Sequence, residues 1–138
     1  MKKVLKNLLI LAILSILTLG AAANEQIRVN LDGKEIAFDT PPTIIDGNTL
    51  VPMRAVFEAL GAEVAWDGDK QCVTANRRDT EIKLFVGQNG VYRDSVYKYM
   101  PCPSQLINDR VYVPVRAIAE SFGCHVDWSE ESNAVVIF

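Results

Sequence analysis

Histidine occurs once in this 138-residue chain, at His125, and cysteine three times. One imidazole, with no partner at ligand spacing, gives no metal site, and the absence of a CxxC pair removes the usual zinc frameworks. Cys72, Cys102 and Cys124 cannot all pair within one chain. One disulfide plus a free thiol, with three choices of pair, stands level with three thiols serving as small hydrophobes. Cys124 and His125 are neighbours, and strand neighbours point to opposite faces, so they do not make a nucleophile–base pair. No serine lies in a G-x-S-x-G setting. Basic clusters are missing apart from Arg77-Arg78, which argues against nucleic acid and anionic membrane as partners.

Long hydrophobic runs are also scarce. The one that exists, from Leu8 to Leu19, follows Lys2, Lys3 and Lys6 and precedes Ala21-Ala22-Ala23. Basic start, apolar stretch and small residues form the pattern of a secretory signal peptide over residues 1–23. At about a dozen residues the run is short of the roughly 20 that span a bilayer. Cleavage after Ala23 would leave 115 residues, with eleven Lys and Arg against 17 Asp and Glu, a net charge of −6. That length suits one domain over residues 24–138, outside the cytoplasm and without a membrane anchor.

What the chain does contain is a repeat. Residues 45–76 shifted by 62 fall on residues 107–138 without a gap, and ten of the 32 positions are identical. The matches have structural jobs. Pro52 and Pro114 suit a first helical turn. Met53, Val56, Phe57 and Leu60, and in the second copy Val115, Ile118, Ala119 and Phe122, repeat the i, i+3, i+4, i+7 stripe of an amphipathic helix. Gly61 and Gly123 end it. Arg54/Glu58 and Arg116/Glu120 are i, i+4 pairs, which read as helix-stabilising rather than catalytic. Each helix is expected to be about ten residues, too short to stand alone.

Short apolar strands flank each helix. "TII-DGN-TLV" and "QLI-NDR-VYV" precede it, and "AEVAW-DGDK-QCVTA" and "CHVDW-SEES-NAVVIF" follow it. Each copy thus reads β-turn-β-α-β-turn-β. "WDGDKQ" has the acidic look of a calcium loop but lacks its later acidic ligand, so a hairpin turn is the reading. Between the copies Ile82, Leu84 and Val86 alternate, and Asn89-Gly90 predicts a further hairpin turn. The lead-in "IRVNLDGKEIAFD" predicts a turn at Asp32-Gly33. The expected fold is α+β, a mostly antiparallel twisted sheet with two short helices. Trp66 and Trp128 are expected in the core, each against its own helix. One copy cannot bury enough apolar surface alone, so the two are expected to share a core.

The pattern P-x-I-I-x-G-x-T-x-V-P-x-R-A-x-x-E-x-L-G-A-x-V-x-W-D at residues 42–67, with a weaker second copy at residues 104–129, resembles the copper amine oxidase N-terminal domain-like family, or stalk domains. The likeness runs over residues 26–138. It implies a non-catalytic appendage of secreted and cell-surface proteins of Gram-positive bacteria, with no cofactor of its own. The amine oxidase chemistry belongs to a separate domain whose copper takes three histidines. None of Tyr92, Tyr97, Tyr99 or Tyr112 has the Asn-Tyr-Asp/Glu setting of that domain's quinone.

The functional expectation is therefore a module that binds a cell-wall component or surface protein, with a spacer or self-assembling domain as the alternative and an unrecognised enzyme behind both. Tyr92, Tyr97 and Tyr99 form the candidate binding surface. Tyr97 and Tyr99 share a strand face, and a core or half-buried position is favoured over an exposed platform.

Overall fold

The computed structural model describes residues 26–138; the signal-peptide segment lies outside the described residues. The chain order is β1 (Arg28–Leu31), β2 (Lys34–Glu35), β3 (Thr43–Ile45), β4 (Asn48–Pro52), α1 (Met53–Ala59), β5 (Glu63–Asp67), β6 (Cys72–Arg77), β7 (Thr80–Phe85), β8 (Gly90–Arg93), β9 (Val96–Tyr99), β10 (Gln105–Ile107), β11 (Arg110–Pro114), α2 (Val115–Ser121), β12 (Val126–Ser129) and β13 (Ala134–Ile137). Both repeats have the expected β-turn-β-α-β-turn-β order. The strands form three sheets, in the orders β12-β13-β1-β2, β10-β11-β4-β3 and β5-β6-β7-β8-β9. All pairings are antiparallel except β1 with β13.

The repeat explains the middle sheet. β4 and β11 pair antiparallel, with Val51 opposite Val113, Tyr112 opposite Pro52 and Pro114 opposite Leu50. Each of these pairs maps onto itself or onto another under the 62-residue shift. A pseudo-two-fold axis therefore passes between Val51 and Val113. Both valines are fully buried in the main core. Leu50 and Tyr112 project from the opposite face into a small second cluster with Cys102. There the Tyr112 hydroxyl lies 3.0 Å from the Pro41 carbonyl, to which it donates.

The helices are seven residues each rather than ten. Pro52 and Pro114 end a strand and stand at the N-cap, just before the first helical turn. They still stop the strand at the point where the helix begins. The stripes behave as their spacing requires: Met53, Val56 and Phe57 are buried on α1, and Val115, Ile118 and Ala119 on α2. Gly61 and Gly123 have φ of +81° and +82°. In the first copy Gly61 N–H donates to the Glu58 carbonyl and Ala62 N–H to that of Phe57. The second copy repeats this with Gly123 to Glu120 and Cys124 to Ala119. These are paired Schellman ends, which need a left-handed residue and favour glycine.

Several hairpins turn where expected. Asp32-Gly33 and Asp46-Gly47 have positive φ at both residues, as does Asn108-Asp109; Asp94-Ser95, joining β8 to β9, has the same signs. This is the type I′ geometry that matches strand twist. "WDGDKQ" is a turn: the Asp67 carboxylate accepts the N–H groups of Asp69 and Lys70, each at 3.1 Å. Asn89-Gly90 is not a turn. The chain reverses around Gly87, at φ +86°, and Gly90 opens β8.

Candidate functional site

The tyrosines lie on β8 and β9, at one end of the five-stranded sheet. Ile82, Leu84 and Val91 fill its inner face and are buried. Tyr92 stands opposite Tyr97 across the β8–β9 pair, and Tyr99 opposite Gly90. Phe85, Tyr92 and Tyr97 make an edge-to-face row, with ring centroids 6.2 and 5.4 Å apart. Tyr92 is half-buried, but Tyr97 and Tyr99 are 52% and 66% exposed. The expectation of core or half-buried tyrosines thus fails at two of three positions. β9 is an edge strand, paired on one side only, and alternation cannot reveal whether a further layer covers a face. Val96, at 70% exposure, adds to the uncovered apolar surface of this edge.

The tryptophans also correct the sequence reading. Trp66 and Trp128 are 41% and 45% exposed rather than core. Each has the inward parity its pattern implied: Trp66 lies opposite buried Val73, and Trp128 opposite buried Val135. But β5 and β12 are edge strands, so each indole overhangs the rim of the core.

Beneath each indole is a groove. A cleft of about 390 Å³ lies between Trp66, the Pro52–Arg54 helix start and Asp109-Arg110 from the hairpin of the other repeat. It adjoins a cleft of about 560 Å³ that shares Pro52, Arg54 and Arg110 and is walled by Ile36, Ala37, Asp39 and Glu58. On the opposite side a cleft of about 340 Å³ is bounded by Trp128, Pro114, Arg116, Glu120, the Gly47-Asn48 hairpin turn, and Lys98, Tyr99 and Pro101. The shift of 62 carries 12 of the 17 residues that line the first side onto the second. Pro52, Arg54, Glu58 and Trp66, with Pro114, Arg116, Glu120 and Trp128, are therefore groove residues as well as repeat markers. Arg110, Asn48 and Lys98 belong to the same surfaces. No sequence signal singled them out, because they reach the grooves only through the β4–β11 pairing and the course of β9.

The helix pairs form as spaced. Arg54 Nη1 is 3.5 Å from Glu58 Oε1, and Arg116 Nη1 is 3.6 Å from Glu120 Oε1. Arg116 also donates to the Val126 carbonyl at 2.8 Å, tying α2 to β12. All four side chains keep substantial exposure, so each ion pair contributes only a few tenths of a kcal/mol. His125 is exposed, with its ring tilted against Phe138 at 5.6 Å and its backbone paired with Phe138 in both directions. Among the described residues no group of three or more His, Cys, Asp and Glu could hold a metal ion. All three cysteines are free thiols; Cys72 and Cys102 are buried and Cys124 is half-buried.

A duplicated β-rich module with exposed aromatic edges is what this architecture defines. Residues 30–137 match the copper amine oxidase N-terminal domain family, and the chain belongs to it. That family is a non-catalytic, stalk-type domain. The chain is also similar to a protein of Brevibacillus choshinensis named a protease inhibitor, at 27% identity over 145 residues. The match takes in 99% of this chain but 43% of the relative, so the chain spans less than half of that protein's length. No helix among the described residues is long and apolar enough to cross a membrane.

Proposed function

We propose that this domain works outside the cytoplasm as a non-enzymatic binding module, and that its partner is a protein engaged through the β9 edge. The observation that carries the reading is the open edge of the five-stranded sheet, where Tyr97 and Tyr99 are exposed on one face of β9 and Val96 on the other. An edge strand offers unpaired backbone N–H and C=O groups to an extended segment of a partner. Tyrosine supplies large contact area at low entropic cost. The relative named a protease inhibitor makes a protease the first class of partner to test. The leader-like pattern of residues 1–23 supports the location.

The test measures hydrolysis of peptide substrates by serine, cysteine and metalloproteases with and without the full chain, alongside direct binding. At least one protease is expected to be bound, and Val96→Asp to weaken that binding by placing a charge at the contact. If no protease binds, or if Val96→Asp binds as tightly as the parent, the reading is wrong.

A further inference from the structure

We infer that the two grooves beneath Trp66 and Trp128 are a pair of saccharide sites, the one at Trp128 the stronger. This goes beyond the protein partner proposed for β9; the two surfaces share Tyr99 but are otherwise built from different residues. The chain has only two indoles. Both stand partly exposed over a concavity, at equivalent places in the repeat. A partly exposed indole presents a flat apolar face with a polar rim. Each groove holds a guanidinium that can only donate hydrogen bonds and a carboxylate that can only accept them: Arg116 with Glu120 at Trp128, and Arg54 with Asp109 at Trp66, Glu58 lying in the adjoining cleft. In the Trp128 groove, Asp127 and Asn48 extend this mixed set.

That mixture selects the ligand. A phosphate or carboxylate wants donors alone, and the acidic neighbours would repel it. A proline-rich peptide also sits on aromatic surfaces, but prolines lack N–H groups and would offer no donor to Asp127 or to the carboxylate oxygens that the arginines leave open. A pyranose has a face of C–H groups for the indole and a rim of hydroxyls that both donate and accept. It answers every group in the groove without a net charge. The ranking follows from one difference between the copies. Tyr99 and Lys98 stand in the Trp128 groove where the shift of 62 places Ala37 and Ile36 on the other side, so only the Trp128 groove has a second aromatic face.

The experiment titrates the full chain with oligomers of β-linked glucose and of β-linked N-acetylglucosamine, and with poly-L-proline, up to roughly 10 mM. Tryptophan emission and calorimetry are the readouts, and every fluorescent indole reports on a groove. At least one sugar series is expected to give a saturable emission change, and Trp66→Phe to keep the tighter phase. Trp128→Ala is expected to weaken that phase at least about tenfold. Tyr99→Ala, at a side chain outside the core, should weaken it several-fold with an unchanged circular dichroism spectrum, which keeps the test decisive if Trp128→Ala folds poorly. Response to poly-L-proline alone, no response to either sugar, or parental affinity in Tyr99→Ala would overturn the assignment. Protease binding is scored separately through Val96→Asp, so either proposal can fail without the other.

Discussion

The ring of Tyr97 occupies the space that a side chain at Gly90 would need. A methyl group built on Gly90 would overlap the ring carbons and hydroxyl of Tyr97. The Tyr97 hydroxyl continues past the glycine to donate to the Asn89 carbonyl at 2.9 Å. An aromatic laid across a strand glycine on the neighbouring strand covers backbone that would otherwise be wet. Gly90→Ala is therefore expected to cost about 1–3 kcal/mol, the range for forcing extra volume into a filled site. Adding Tyr97→Ala to that variant should recover part of the loss, because the two positions share one contact. Urea denaturation of the four members of the cycle checks this, and strict additivity would remove the contact from the explanation.

Trp66→Ala and Trp128→Ala should each cost about 1–3 kcal/mol, because somewhat more than half of each indole is covered. Phe57→Ala should cost about 3–5 kcal/mol, because Phe57 is fully buried. Similar losses at all three positions would mean that the indoles belong to the core after all.

Ser95→Gly should stabilise the domain. Ser95 sits at φ +68° in an exposed type I′ turn, a conformation that costs an L-residue and suits glycine. Part of the gain is lost to the looser unfolded chain, leaving about 0.5–1 kcal/mol. A lower melting temperature in the variant would contradict the turn geometry.

The thiols should separate by accessibility. Under native, reducing preparation Cys124 is expected to react with an aromatic disulfide reagent first, whereas Cys72 and Cys102, at 6% and 4% exposure, wait for unfolding. Protein prepared without reductant should give three equivalents in denaturant, and a count of one would reveal a disulfide.

Copper chemistry offers a further check. The described residues include one imidazole and no metal-binding cluster. Full chain incubated with Cu(II) and dialysed should hold less than one copper per molecule and release no peroxide from primary amines. A quinone absorbance band would reopen the enzymatic reading.

Much of this architecture was legible in the sequence because each signal was local. The Asp-Gly turns, the i, i+3, i+4, i+7 stripes and the helix-ending glycines all act within a few residues. The misreadings arose where distant chain decides the outcome. Alternation correctly gave Trp66 the same side as Val73, but could not tell that β5 lies at a sheet edge. Asn89-Gly90 has the composition of a type I′ turn, yet Gly90 is needed under Tyr97, and Gly87 turns the chain instead. The grooves were invisible for the same reason. Their walls come from opposite repeats and meet only when Val51 finds Val113.

The parallel pairing of β1 with β13 has a consequence for how the chain is made. Arg28 lies beside Ala134, 106 positions later, and buried Val29 lies beside Val135. At ribosomal speeds β1 waits roughly 5–20 s for its partner to be synthesised. Pairings over such distances also slow folding once the chain is complete. Until then β1 and its companion β2 have no sheet to join, and Val29 stays wet. A chain stalled or cut before Ala134 is left with an unmatched strand at its front, a mark that proteases and holding chaperones can read.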